Sequence, residues 1–107
     1  MPDIPFFDAI GFFAQKLQEV EQQLIAKKAE REILLANQAS LEQTLATLAL
    51  LSPEHQKAIQ QEVASLKEVL HTTERNLTSL EGEIDMLNAK LNALKTARDL
   101  LHVEGTP

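Results

Sequence analysis

The side chains that could carry chemistry are few, and their spacing does not match the patterns that such chemistry requires. The histidines are His55, His71 and His102, and the chain has no cysteine. No two histidines have the spacing that places a pair of metal ligands on one helix face. Glu68 and His71 have the Glu-x-x-His spacing of di-metal centres in helical bundles, but both fall on outward positions of the helix pattern described below. We therefore predict no metal site, no cofactor and no catalytic residue.

Two further candidates have simpler explanations. Glu81, Glu83 and Asp85 would point in different directions from a helix, which indicates a solvated charged surface rather than a site. The sequence at 76–78, Asn-Leu-Thr, matches a glycosylation acceptor, but it would lie within a helix of a chain for which we expect no signal peptide. We treat this match as chance and predict a protein without enzymatic activity.

The charge balance limits the kinds of partner. Ten basic and sixteen acidic residues give a net charge of −6, spread evenly between the two halves of the chain. Because no basic face is available for phosphates, we expect no binding to nucleic acid, and anionic membrane surfaces are disfavoured. The lack of cysteine is compatible with a reducing compartment, and neither a basic leader nor a long apolar run is present. We predict a soluble, cytoplasmic protein.

The strongest pattern is an apolar repeat in the second half of the chain. Alternating steps of four and three residues reach thirteen positions, eleven of which are Leu, Ile or Val. Such a 3.5-residue repeat forms a narrow stripe on a helix, a coiled-coil seam that needs a partner helix. These seam positions are Ile59, Val63, Leu66, Leu70, Thr73, Leu77, Leu80, Ile84, Leu87, Leu91, Leu94, Arg98 and Leu101. Residues 10–48 carry a second seam with the same spacing, at Ile10, Phe13, Leu17, Val20, Leu24, Lys27, Arg31, Leu34, Gln38, Leu41, Leu45 and Leu48.

Ser52-Pro53-Glu54 marks the boundary between the two seams. Ser is a favoured N-cap, Pro suits the first helical position, and Glu suits the positive end of a helix. If the chain folds back at residue 52, residues whose numbers sum to about 104 face each other, and seam positions of the two helices meet. Asp3 and Asp8 are the candidate caps of the first helix.

We therefore predict an all-α fold, an antiparallel two-helix coiled-coil hairpin in a single domain over residues 1–107. The first helix is expected at about 8–51, the turn at 52 and the second helix at about 53–103. The alternative topology is a kinked, extended helix that forms a parallel oligomer.

Four seam positions in the middle of this hairpin are polar: Lys27, Arg31, Gln38 and Thr73. Polar seam residues fix the alignment of helices at some loss of stability, and long side chains release their charge to solvent. We interpret them as register control, with a binding notch as the alternative. Flanking ion pairs are also expected: Lys28 with Glu74 or Glu81, and Glu42 with Lys67.

All four phenylalanines lie within the first thirteen residues. The predicted hairpin would place them at its open end, beside the C-terminus. They either cap that end or form a docking surface for another protein, and shallow insertion into a membrane is a third possibility. The predicted partner-binding residues are Phe6, Phe7, Phe12, Leu100 and Val103.

Small and apolar residues also line the faces turned away from the seam. A two-helix hairpin leaves these faces exposed, and small side chains allow a further helix to approach closely. We therefore predict a homodimer that forms a four-helix bundle. Its predicted oligomer face consists of Ala26, Ala29, Ile33, Ala36, Met86, Ala89 and Ala93.

The hairpin layout resembles helical-hairpin secretion substrates of the WXG type and the two-helix arms of prefoldin-like chaperones. This chain has Ser52-Pro53-Glu54 where the former have a Trp-x-Gly turn, and it has no counterpart of the strands that join prefoldin-like arms into a ring. We predict a non-enzymatic protein–protein interaction module (an adaptor, small chaperone or assembly subunit) that binds itself and an unidentified protein partner. The alternative is a peripheral membrane or envelope-associated structural subunit that uses the Phe-rich N-terminus.

Overall fold

The computed structural model describes residues 8–104, and side chains for residues 8–101. This part of the chain forms three helices, α1 at Ala9–Leu48, α2 at Pro53–Ala58 and α3 at Gln60–Glu104, and no strand. The two long helices, α1 and α3, pack together, which confirms the prediction of an all-α, hairpin-like fold. Over these residues, no helix has an apolar segment long enough to cross a bilayer.

Asp8 starts α1. The backbone N–H of Gly11 donates to the Asp8 carboxylate at 2.9 Å, and the N–H of Phe12 donates to the Asp8 carbonyl oxygen at 2.9 Å. The carboxylate therefore satisfies an amide that has no partner in the first helical turn, and it places negative charge at the positive helix end. Asp3, the other predicted cap, lies outside the described residues.

The first long helix ends at Leu48, earlier than the predicted end at about residue 51. Tighter turns follow, and the N–H of Leu51 donates to the Leu48 carbonyl at 3.2 Å. The side-chain amide of Gln56 then closes the turn by donating to the carbonyls of Ala49 at 2.9 Å and Leu51 at 2.7 Å. These bonds satisfy carbonyl groups that the end of a helix leaves unpaired.

Ser52 caps α2 as predicted. Its backbone is extended, with φ −60° and ψ 155°, and its hydroxyl accepts from the N–H of His55, with Pro53 in the first turn. The predicted second helix is interrupted once, at Ile59, where φ is −109° and ψ is 19°. The deviation is confined to this β-branched residue, because the N–H of Val63 still donates to the Ile59 carbonyl at 2.9 Å.

The chain divides into two compact units. The first combines the chain up to Ala26 with the chain from Ile84 onward, and the second covers Lys27–Glu83. Buried side chains in the first unit are Leu17, Val20, Leu24 and Ile84, and those in the second are Thr73, Leu77 and Leu80. In the second unit, no described α1 side chain is fully buried, so the core of this unit is thin. The single domain over residues 1–107 stays a prediction.

Burial follows the predicted seams. Every seam position from 13 to 101 is buried or half-buried, whereas Ile10 is 47% exposed. In the second unit, Gln56 contacts Ala49 beside the turn, and Lys27 contacts Glu83 far from it. The two long segments of this unit therefore run antiparallel, which excludes the extended-helix alternative there.

The two helical glycines of the described chain should respond differently to alanine. A Cβ added at Gly82 meets no atom within 4 Å, so Gly82→Ala should raise the free energy of unfolding by about 0.5–1 kcal/mol. A Cβ added at Gly11 would overlap the capping carboxylate of Asp8, with 2.9 Å to its Cγ. Displacing that cap costs about 0.5–2 kcal/mol, so Gly11→Ala should give no gain.

Urea unfolding of both variants at one fixed protein concentration measures this difference. Equal stabilisation by the two substitutions would contradict the cap at Asp8.

Candidate functional site

Lys27 forms the one ion pair between α1 and α3 among residues 8–101. Its Nζ lies 2.9 Å from Oε2 of Glu83 and 4.0 Å from Oε2 of Glu30. The hydrogen bond to Glu83 and the charge of that carboxylate raise the pKa of Lys27 above its usual 10.5; the charge of Glu30 adds to this, and burial opposes it. A polar seam residue thus links the two long helices of the second unit.

Among the described residues, the side chains of the other three polar seam residues form no hydrogen bond between the two helices. Thr73 is 8% exposed, and its hydroxyl donates to the Val69 carbonyl of the same helix at 2.9 Å. This bond satisfies a buried hydroxyl that would otherwise destabilise the fold. Arg31 and Gln38 are half-buried, and neither side chain forms a hydrogen bond or ion pair within the described part of the chain.

A shallow cleft of about 230 Å³ lies beside this polar seam. Its lining residues are Lys27, Glu30, Leu34, Asn76, Ser79, Leu80 and Glu83. The charged groups in the cleft already pair with each other, as the Lys27–Glu83 distance shows. Register control and a binding notch therefore both stay predictions for these residues.

The predicted flanking ion pairs are wrong. Instead, Lys27, one residue before Lys28, forms the ion pair with α3, through Glu83. Lys28 and Glu42 are exposed, and neither forms an ion pair with any described residue. The two charges remain available on the α1 surface of the second unit.

The predicted oligomer face lies entirely on exposed surface. Its alanines are all exposed, and so are its two large residues, Ile33 at 63% and Met86 at 69%. Ala29, Ile33 and Ala36 belong to the second unit, and the remaining four residues belong to the first. Each unit therefore presents its own part of this face to solvent.

Of the predicted partner-binding residues, Phe12 is 41% exposed and Leu100 is 59% exposed. The Phe12 ring meets that of half-buried Phe13 edge-on, with centroids 5.6 Å apart, and Nζ of Lys16 lies 5.6 Å from the Phe12 centroid. Phe6, Phe7 and the side chain of Val103 lie outside the described residues. Phe12 and Leu100 belong to the same compact unit.

Sequence reasoning missed how strongly charge is partitioned in the second unit. Residues 33–53 contain a single charged side chain, Glu42, whereas residues 60–83 of α3 contain seven. Large apolar side chains are exposed within the charge-poor stretch, including Leu35 at 38% and Leu50 at 86%. A scan of charge along the chain would have found this stretch.

The histidine and carboxylate candidates do not converge in the described chain. His71 Nδ1 lies 3.7 Å from Oε2 of Glu74 within one helix, and His55 Nδ1 lies 2.7 Å from the Ser52 hydroxyl in the turn. Over the described residues, no group of three His, Asp or Glu side chains is arranged to hold a metal ion.

Comparison with known proteins gives no significant match to any protein-family model, curated protein or solved structure.

The raised pKa of Lys27 predicts a pH dependence. A group whose pKa is higher in the folded state stabilises that state below its unfolded pKa, and this contribution disappears as pH rises through the folded pKa. The loss of stability caused by Lys27→Met should therefore be constant from pH 7 to 9 and shrink above about pH 10.5. Denaturant unfolding across this range measures it.

Lys57→Met is the matched control, because Lys57 is exposed and forms no ion pair in the described chain. A Lys27→Met effect that is unchanged at pH 11.5 would contradict the pairing with Glu83.

Proposed function

We propose that this protein is a non-enzymatic interaction module that self-associates and binds a protein partner. The observation that carries the proposal is the large apolar surface left exposed on the packed helices. Within the described chain, Ile25, Ile33, Met86 and Leu100 are each more than half exposed. Exposed Ala29 and Ala36 lie four residues before and three after Ile33 on the same helix, and contiguous apolar patches mark places where another protein binds.

The thin core of the second unit supports the self-association. Two buried leucines and one buried threonine are all that this unit encloses among the described residues. Covering one large apolar side chain contributes about 1.5–3 kcal/mol, so a further helix against the exposed side chains would add stability that the unit lacks. The most economical arrangement is a twofold dimer that forms a four-helix bundle.

Self-association predicts a species of about twice the chain mass of 11.9 kDa at micromolar concentration. Ile33→Asp should shift this species to monomer, because a charge would replace an apolar side chain at the interface. Thr78→Asp, at an exposed position of α3, is the matched control and should leave the dimer intact. Sedimentation equilibrium measures both, and a wild-type monomer at tens of micromolar would overturn the proposal.

Partner binding is proposed for the surface that carries Phe12 and Leu100. Aromatic residues are enriched among the residues that dominate binding energy in protein interfaces, and both side chains retain accessible apolar area. With such a surface, the protein would act as an adaptor, small chaperone or assembly subunit in the cytoplasm.

Replacing both Phe12 and Leu100 with Ser should reduce capture of protein partners from a host lysate several-fold while circular dichroism stays unchanged. The control replaces their exposed polar neighbours Gln15 and Asp99 with Ser and should capture normally. Equal capture by both variants would contradict the docking surface, and lost helicity would favour the end-cap interpretation. Flotation with neutral or anionic vesicles, lost in the same double variant, would favour the membrane alternative instead.

A further inference from the structure

We infer that a second copy of this chain docks antiparallel on the outer stripe of α1 in the second unit, so that α1 pairs with its symmetry mate. The outer stripe is defined by alternating steps of three and four residues along α1: Ala29, Glu32, Ala36, Ala39, Gln43 and Ala46, with Leu50 following in the turn after α1. All seven are exposed. This inference rests on the proposed self-association and specifies its surface and direction.

Exposed aliphatic side chains and low charge distinguish this surface. Leu50, in the turn just beyond the stripe, is 86% exposed, and Ile33 and Leu35 on the two edges of the stripe are 63% and 38% exposed. Glu32 is the one charged side chain of the stripe, and from residue 33 to 50 the only charged side chain is Glu42. Two copies of a chain with a net charge of −6 repel each other where carboxylates gather, and this surface minimises that repulsion.

The direction of pairing follows from two charges on one edge of the stripe. Lys28 and Glu42 lie at equal distances along the sequence before and after Leu35, and neither has an ion-pair partner among the described residues. Parallel pairing about a twofold axis would put this edge of the two copies on opposite sides of the contact, so that neither charge would meet a charge of the copy. Antiparallel pairing brings each lysine to a glutamate of the other copy, twice per dimer.

The spacing of the stripe also fits the antiparallel register. When residues whose numbers sum to about 75 face each other, Ala36 meets Ala39, and Ala29 meets Ala46. Glu32 meets Gln43, whose side-chain amide can donate to the carboxylate. In this register Lys28 and Glu42 of the copy differ by about 7.5 Å along the helix axis, a distance that the two flexible side chains span. Small residues at the centre allow a close interaxial distance of about 8 Å.

Distance measurement between spin labels tests the direction. The chain has no cysteine, so Ser40→Cys and Thr47→Cys each give one labelled site per chain, on the other edge of the stripe. Antiparallel pairing predicts roughly 10–15 Å between labels at residue 40 and about 30 Å between labels at residue 47. Equal short distances at both sites would indicate a parallel pair and overturn the inference.

Charge reversal tests the contacts independently. Lys28→Glu and Glu42→Lys should each raise the dimer dissociation constant roughly 3- to 10-fold, and the double variant should return it to within about twofold of wild type. Lys67→Glu and Glu81→Lys make the same charge changes at exposed positions of α3 and should have smaller effects. A double variant as weak as either single one would overturn the inference.

The two proposals fail in different ways. A wild-type chain that stays monomeric at all accessible concentrations removes self-association and this inference together. A dimer with long distances at residue 40 and no rescue by the double charge reversal removes only the α1–α1 pairing and leaves self-association standing.

Discussion

The narrow apolar stripe of each long helix is the constraint on which the rest of this structure depends. A helix of 40 or 45 residues with one seam cannot bury that seam by itself, and helices in proteins gain most of their stability from packing against other elements. Packing α1 against α3 satisfies the constraint, and the buried side chains Leu17, Val20, Leu24, Leu77, Leu80 and Ile84 are all seam positions. The turn serves this contact, because the Ser52 cap and the Gln56 amide hold the chain where it reverses.

Periodicity, capping chemistry and phase were enough to predict the fold. The buried seam could be predicted because a 3.5-residue repeat assigns every residue to a face of the helix. The boundary at Ser52-Pro53 could be predicted because Pro is favoured at the start of a helix and disrupts its interior. The early end of α1 and the break at Ile59 could not be predicted from the sequence, because they depend on a few local backbone hydrogen bonds. The predicted ion pairs were wrong for a related reason. Long charged side chains can reach several neighbours, so the sequence shows which charges could meet but not which pair forms.

The candidate surfaces could be predicted in part. Exposure of Ala29, Ile33 and Ala36 follows from their phase opposite the seam, and the structure places them on the surface. What binds there does not follow from phase, because an apolar helix face accepts any complementary helix. The thin core of the second unit and the charge-poor stretch of α1 bear on the proposed function: the polar seam reduces internal burial, and the outer stripe, whose one charged side chain is Glu32, is proposed to be buried against a second chain. Self-association would thus stabilise the same unit that the polar seam weakens.

One distance tests most directly whether the two leucine-rich seams close on each other. Glu30 on α1 and Ser79 on α3 are both exposed and line the same cleft of the second unit, so both accept spin labels. With labelled protein diluted in unlabelled protein, the packed helices predict a separation on the order of 10–15 Å. A separation near 74 Å, the length of one uninterrupted helix between these residues, would contradict the account.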